Sequence, residues 1–233
     1  MNLENITAFV TGANRGLGRA LVEQLLARGA KRVYAATRSG TLEHRDPRVV
    51  PVRLDVTDPA AARDAASAAR DTELLVNNAG VLASASVLSA ERAQLDADFA
   101  VNVHGVLNVT RAFAGQLPRG AAIVNVLSIV SMASMPAIGG YSASKAAAWS
   151  VTQALRAELA PAGVAVHAAF PGAIDTDMIR SFDMPKTSPA DVARGILDGV
   201  ADGTLDIAPD AMALDIMQTF LRDPRELARK LAG

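Results

Sequence analysis

The order of short apolar runs and longer helical stretches constrains this chain more than any other feature. Runs of β-branched and apolar residues at 6–10, 33–36, 49–54, 74–76, 122–126 and 164–169 alternate with Ala- and Leu-rich stretches. The helical stretches fall at 15–27, at 58–69, at 93–117 and at 141–159. Gly29 stops the first, and Asp58-Pro59 opens the second with proline at its first helical position. Ser188-Pro189-Ala190-Asp191 opens another helix, 212–221 reads as helical, and Asp223-Pro224 opens a short last one. Strands that read as short continuous apolar runs are buried on both faces, as in a parallel sheet. Strand–helix alternation at this spacing implies βαβ units with right-handed crossovers. The expected fold is α/β: a doubly wound parallel sheet flanked by helices, with its ligand crevice at the carboxyl ends of the strands. No linker, repeat or low-complexity segment divides the chain, so 1–233 reads as one domain. Its least regular part lies within 170–190, where a substrate-covering loop is expected, and 205–207 is a possible seventh strand.

Composition narrows the function. Half of the 233 residues are hydrophobic, enough for a large core. The 23 basic and 24 acidic residues give a net charge of −1, which argues against nucleic acid as a partner. The absence of cysteine excludes disulfide scaffolds, cysteine zinc sites and cysteine nucleophiles. His44, His104 and His167 stand singly, so no metal site is expected, and His104 and His167 read as structural. No apolar run reaches the roughly 18 residues of a membrane span. The first residues lack a basic leader pattern, so the expectation is a soluble cytoplasmic protein without membrane association.

The first strand runs into Thr11-Gly12-Ala13-Asn14-Arg15-Gly16-Leu17-Gly18. Gly12 permits a tight turn, Gly16 lets the backbone approach a pyrophosphate, and Gly18 lets helix pack closely on strand. The helix N-terminus then offers free N–H groups to phosphate. Taken alone, such glycines suit any tight strand–helix turn. The second strand ends Ala35-Ala36-Thr37-Arg38-Ser39, with no acid where an NAD-binding chain usually places one for the ribose hydroxyls. Arg15 and Arg38 instead suit a ribose 2′-phosphate, the alternative being two solvated surface arginines.

At the other end, Tyr141 and Lys145 stand one helical turn apart, and Ser128 lies 13 residues upstream at the end of the fifth strand. A phenol with a pKa of about 10 is a poor base at neutral pH, and a neighbouring ammonium favours phenolate. The tyrosine could then exchange a proton with an alcohol or carbonyl. Tyr-x-x-x-Lys alone also occurs by chance.

Together these motifs resemble the short-chain dehydrogenase/reductase family over roughly 4–180. The likeness includes Thr11-Gly12…Gly18, Leu54-Asp55-Val56, Asn77-Asn78-Ala79-Gly80, Asn102, Ser128, Tyr141, Lys145 and Pro171-Gly172 followed by Thr176. It implies a Rossmann fold and a catalytic set of Asn102, Ser128, Tyr141 and Lys145. Tyr141 would be general acid/base, and Ser128 would orient the carbonyl. Lys145 would hold the nicotinamide ribose and lower the Tyr141 pKa, and Asn102 would support a water linking Lys145 to solvent. Gly12, Asn14, Arg15, Gly16, Leu17 and Gly18 would form the cofactor loop, with Thr37 and Arg38 at the ribose. Asp55 and Val56 would contact adenine, Asn77, Ala79 and Gly80 would line the cofactor, and Pro171, Gly172, Ile174 and Thr176 would border the nicotinamide. Basic residues matching Arg15 and Arg38 go with NADP(H) in this family. The resemblance fades beyond about Asp183, so 191–233 stands as a divergent segment. Family members assemble as homodimers or homotetramers, a dimer here running through the helices that carry Asn102 and Tyr141.

Ile129, Met132, Met135, Ile138, Met178, Phe182 and Met184 are expected around the substrate. Their apolar, adaptable side chains suit a hydrophobic ketone or aldehyde, or the corresponding secondary alcohol. Two other classes share these motifs. An NADP(H)-binding sensor or scaffold with little turnover would not need the whole catalytic set, and an epimerase or dehydratase usually carries a larger substrate domain.

Overall fold

The structure is a computed structural model describing residues 1–83 and 85–232. Its strands are β1 (Thr7–Thr11), β2 (Arg32–Thr37), β3 (Val49–Arg53), β4 (Leu74–Asn77), β5 (Ala122–Val126), β6 (Ala165–Ala169) and β7 (Asp206–Ile207). They form one seven-stranded sheet in the order β3-β2-β1-β4-β5-β6-β7, every pairing parallel. The order reverses between β1 and β4, and a doubly wound sheet opens its ligand crevice at such a switch point.

The helices are α1 (Gly16–Ala27), α2 (Pro59–Ala68), α3 (Arg92–Phe99), α4 (Val106–Ala114), α5 (Gly139–Leu159), α6 (Pro189–Ala201), α7 (Ala211–Arg222) and α8 (Pro224–Ala232). Successive strand residues point to opposite faces, and both faces are covered. Ala8 and Val10 pack with Leu21 and Leu25 of α1 and Ile196 and Leu197 of α6. Phe9, between them in sequence, packs on the other face with Ala62 of α2, Phe113 of α4 and Leu155 of α5. A smaller cluster joins Ile129, Ile138 and Tyr141 to Ala213 and Ile216 of α7 and Leu227 of α8, so the last two helices cover the carboxyl end of the sheet beside α5.

Three elements differ from the sequence expectation. The helix expected over 93–117 is α3 and α4 joined by a π-helical turn, Ala100–Gly105, with Asn102 inside it. Strand β3 alternates in exposure and leaves Pro51 and Arg53 open, because it is an edge strand, where proline costs no ladder bond that a neighbour needs. The seventh strand shrinks to Asp206–Ile207, with Leu205 exposed. His167 is buried, its Nδ1 bonded to the Thr204 carbonyl at 2.7 Å, a structural role. Among the described residues no helix is long and apolar enough to cross a membrane.

Candidate active site

A cleft of about 560 Å³ opens over the carboxyl ends of the strands and runs from the glycine turn to Tyr141 and Lys145. The turn is built on strand β1. Thr11 Oγ1 accepts the N–H groups of Asn78 and Ala79 at 3.0 Å each, tying the ends of β1 and β4 together. Gly12 and Gly16 have φ of +66° and +51°, a left-handed backbone that favours glycine. A Cβ at Gly18 would lie 2.1 Å from the Gly12 carbonyl oxygen, so only glycine lets α1 start this close to the strand. The chain enters α1 at Arg15 without a side-chain cap, so the first helical N–H groups stay available to an anion.

The two asparagines after β4 divide the work, and one expectation is corrected. Asn77 points into the core, where its Nδ2 donates to Asn125 Oδ1 at 2.8 Å and Thr110 Oγ1 at 3.1 Å, and it does not line the cleft. Asn78 faces the cleft instead and donates from Nδ2 to the Thr11 and Gly12 carbonyls at 2.9 and 3.2 Å. Adjacent residues at a strand end face opposite ways, so only one of the pair could reach the glycine turn.

Thr37 ends β2 with its hydroxyl accepting the Gly40 N–H at 3.0 Å, shaping the turn that presents Arg38. Asp55 faces Arg38 across the cleft. Its carboxylate takes the Thr57 hydroxyl and N–H at 2.7 and 2.9 Å, and these bonds, helped by Arg38, hold its pKa below the ordinary value. Arg15 is exposed and ion-paired to Asp177 at 3.6 Å, across the mouth of the cleft.

At the reacting end, Ser128 leaves β5 and caps a short 3₁₀ turn, which places its hydroxyl beside the Tyr141 phenol. Burial pushes the phenol pKa up, the neighbouring Ser128 hydroxyl draws it down, and the Asp98 carboxylate raises it. Lys145 Nζ donates to the Val126 carbonyl at 2.8 Å and lies 5.8 Å from the centre of the Tyr141 ring. Burial lowers its pKa to about 8, against the opposing pull of Asp98. Without a bound cofactor, burial therefore outweighs the expected lowering of the phenol pKa.

Asn102 is buried and does not line the cleft. Its Oδ1 accepts the Val81 N–H at 3.0 Å, and its Nδ2 donates to the Val81 carbonyl and Ser144 Oγ at 2.9 Å each. The π-helical turn thus ties the segment after Gly80 to α5, one residue before Lys145. A Cβ at Gly80 would sit 3.2 Å from Asn102 Oδ1 and 3.6 Å from Lys145 Nζ, so the missing side chain leaves room where they converge. Asp98 was not anticipated. It stands one turn before Asn102, fully buried, and accepts the Ala83 N–H at 2.9 Å. An acid four residues before Asn102 on the same helical face was its signal.

Apart from Asn77 and Asn102, every expected cofactor or catalytic residue borders the cleft. Ile129, Met135, Ile138, Met178, Phe182 and Met184 line its reacting end. Met132 packs into the core instead, and Leu82 and Met212 join the wall. No group of three metal-ligating side chains assembles among the described residues.

These features coincide with known proteins. The chain belongs to the short chain dehydrogenase family, whose model matches residues 6–186. It is 35% identical over 201 residues to carbonyl reductase (NADPH) 2 of Sus scrofa, covering 83% of this chain and 80% of that protein. A 3-oxoacyl-acyl-carrier-protein reductase of Escherichia coli is 31% identical over 215 residues, 88% of this chain and 86% of its own. A short chain dehydrogenase from Burkholderia cenocepacia, solved in complex with NADP, is 42% identical with a TM-score of 0.95 and matches 100% of both chains. That likeness runs through 191–233, beyond the end of the family model.

Proposed function

We propose that the chain is an NADP(H)-dependent reductase of uncharged, apolar ketones or aldehydes. The carrying observation is Tyr141, beside Ser128 and one helical turn from Lys145, in the same cleft as a glycine turn flanked by two arginines. The cradle fits a dinucleotide: Gly12, Gly16 and Gly18 leave the backbone open to a diphosphate, and the start of α1 favours negative charge. Arg15 and Arg38 would hold the 2′-phosphate, since position 37 is threonine and no carboxylate there would repel it.

Bound NADPH supplies the hydride. The chain orients the carbonyl and delivers the proton. Ser128 donates to the carbonyl oxygen, and Tyr141 Oη gives up its proton to that oxygen as charge develops there. Burial keeps the phenol protonated at neutral pH, the state a proton donor needs. Lys145 would anchor the ribose and stabilise the phenolate left on Tyr141, which would take its next proton ultimately from solvent, and Asn102 would position Lys145 through Ser144 and Val81. At the reacting end Lys145 is engaged with Val126, and most of the rest of the wall is apolar and rich in methionine, so among the described residues no free cation there awaits a substrate carboxylate or phosphate. Met178, 45% exposed at the mouth, can re-pack around different apolar groups. The loop at 170–190 would cover the substrate, and the protein would work in the cytoplasm as a homodimer or homotetramer.

The test is a panel of ketones and aldehydes, neutral and carboxylated, incubated with NADPH and followed at the nicotinamide absorbance. Neutral apolar carbonyls should be reduced and carboxylated analogues poorly. Absence of NADPH oxidation with every member would refute the reading.

A further inference from the structure

The segment beyond the family model is tied to the border of the cleft through one carboxylate. Asp210 precedes α7, and its Oδ1 accepts the Ala213 N–H at 2.9 Å, an ordinary helix cap. Its second oxygen is turned outward from the helix and accepts the Gly172 N–H, also at 2.9 Å. Gly172 belongs to the Pro171–Gly172 turn, which borders the reacting end of the cleft. The preceding carbonyl, that of Pro171, accepts the Ile129 N–H at 3.1 Å, and Ile129 directly follows Ser128. An unbroken path of bonds therefore runs from the start of α7, through the turn, to the loop of the catalytic serine.

The fit at the turn is close. A Cβ at Gly172 would meet Asp210 Oδ1 at 2.8 Å and the Cβ and Sδ of Met212 at 3.0 Å. Met212, two residues after Asp210, also lines the substrate end of the cleft. Two N–H donors face the two oxygens, so the position calls for a carboxylate. An asparagine would offer one acceptor and turn an NH₂ toward the other donor, and a serine could cap α7 but would present a single shorter acceptor.

We propose that Asp210 is a positioning residue for the reaction. It docks the C-terminal helices onto the Pro171–Gly172 turn and, through Pro171 and Ile129, fixes the Ser128 hydroxyl against Tyr141. This rests on the reductase reading above, and the experiment separates the two.

The variants are Asp210→Ser and Asp210→Asn, both good helix caps, with Asp210→Ala removing both bonds. Melting temperature, steady-state kinetics with NADPH and a ketone, and amide hydrogen exchange at Gly172, Ala213 and Ile129 are measured on each. The serine and asparagine variants should melt close to wild type and keep Ala213 protected. Exchange at Gly172 and Ile129 should rise about tenfold or more. In the same variants kcat should fall roughly tenfold to a hundredfold, the range expected when a reacting group is misplaced, with the KM for NADPH changed far less. Asp210→Ala should lose melting temperature as well. Wild-type kcat in Asp210→Ser, whatever its exchange pattern, overturns the proposal and assigns Asp210 to capping alone. If the wild type itself reduces no carbonyl, the reductase reading fails. Exchange at Ile129 then decides: protection unchanged in Asp210→Ser overturns the path to Ser128, and its loss upholds it.

Discussion

Lys145 is buried at a cost that can be measured against pH. Its ammonium is buried, and burial lowers its pKa from 10.5 to about 8. At pH 7 the amine is charged in both folded and unfolded chains, and the folded chain bears a desolvation cost of roughly 3 kcal/mol. In an unfolded chain the lysine keeps its proton up to 10.5, whereas the buried amine releases it near 8. Between those values the unfolded state binds more protons, so native stability rises with pH relative to a chain without this lysine. Replacing Lys145 by Met, similar in volume, removes the titration together with the bond to the Val126 carbonyl. The lost bond is a nearly constant offset, so the informative quantity is a difference. From pH 7 to pH 10 the wild type should gain about 2.5 kcal/mol on Lys145→Met, an order-of-magnitude figure. For a chain of this size that corresponds to a relative shift in melting temperature of roughly 5–10 °C. Urea denaturation or thermal melts of both proteins without cofactor, at several pH values, measure it. Groups that do not feel the Lys145 charge titrate alike in the two chains and cancel. Parallel stability curves would mean that the buried amine keeps an ordinary pKa, and the desolvation argument would fail.

Three further outcomes are expected. Tyr141→Phe keeps the ring and loses the proton, so turnover should fall roughly 100-fold or more while NADPH affinity, read by nicotinamide fluorescence, stays near wild type. The wild type should prefer NADPH to NADH by about tenfold or more in kcat/KM, and Arg38→Asp should reverse that order by replacing an attraction to the 2′-phosphate with a repulsion. Gly18→Ala drives a Cβ to within 2.1 Å of the Gly12 carbonyl oxygen, so the turn must open. Nucleotide binding by titration should be lost, together with several degrees of melting temperature. Unimpaired binding in Gly18→Ala would show that the turn is not the phosphate cradle.

What was legible in the sequence follows the range of the forces involved. The sheet was legible because strands in a parallel sheet are buried on both faces and write that burial into local composition, as Leu74–Asn77 and Ala122–Val126 do. The edge strand β3 escaped that rule because its exposure depends on its place in the sheet order. The glycine turn was legible because left-handed backbone selects for residue type at single positions. Asn77 and Asn78 were legible as a pair and not individually, since which one faces the cleft depends on where β4 ends.

The π-helical turn left no local mark. Ala100 to Gly105 read as ordinary helix, and the widened turn is fixed by contacts that Asn102 makes with Val81, 21 residues earlier, and Ser144, 42 residues later. Asp98 and Asp210 follow the same logic. Each is an acid on a helix or at its start, a common surface motif, and each gains its role from a backbone N–H supplied by a distant segment, Ala83 for one and Gly172 for the other. Local preference therefore specifies where the reacting groups start out. Side-chain bonds to distant backbone specify how firmly they are held, and those bonds become visible only once the chain is folded.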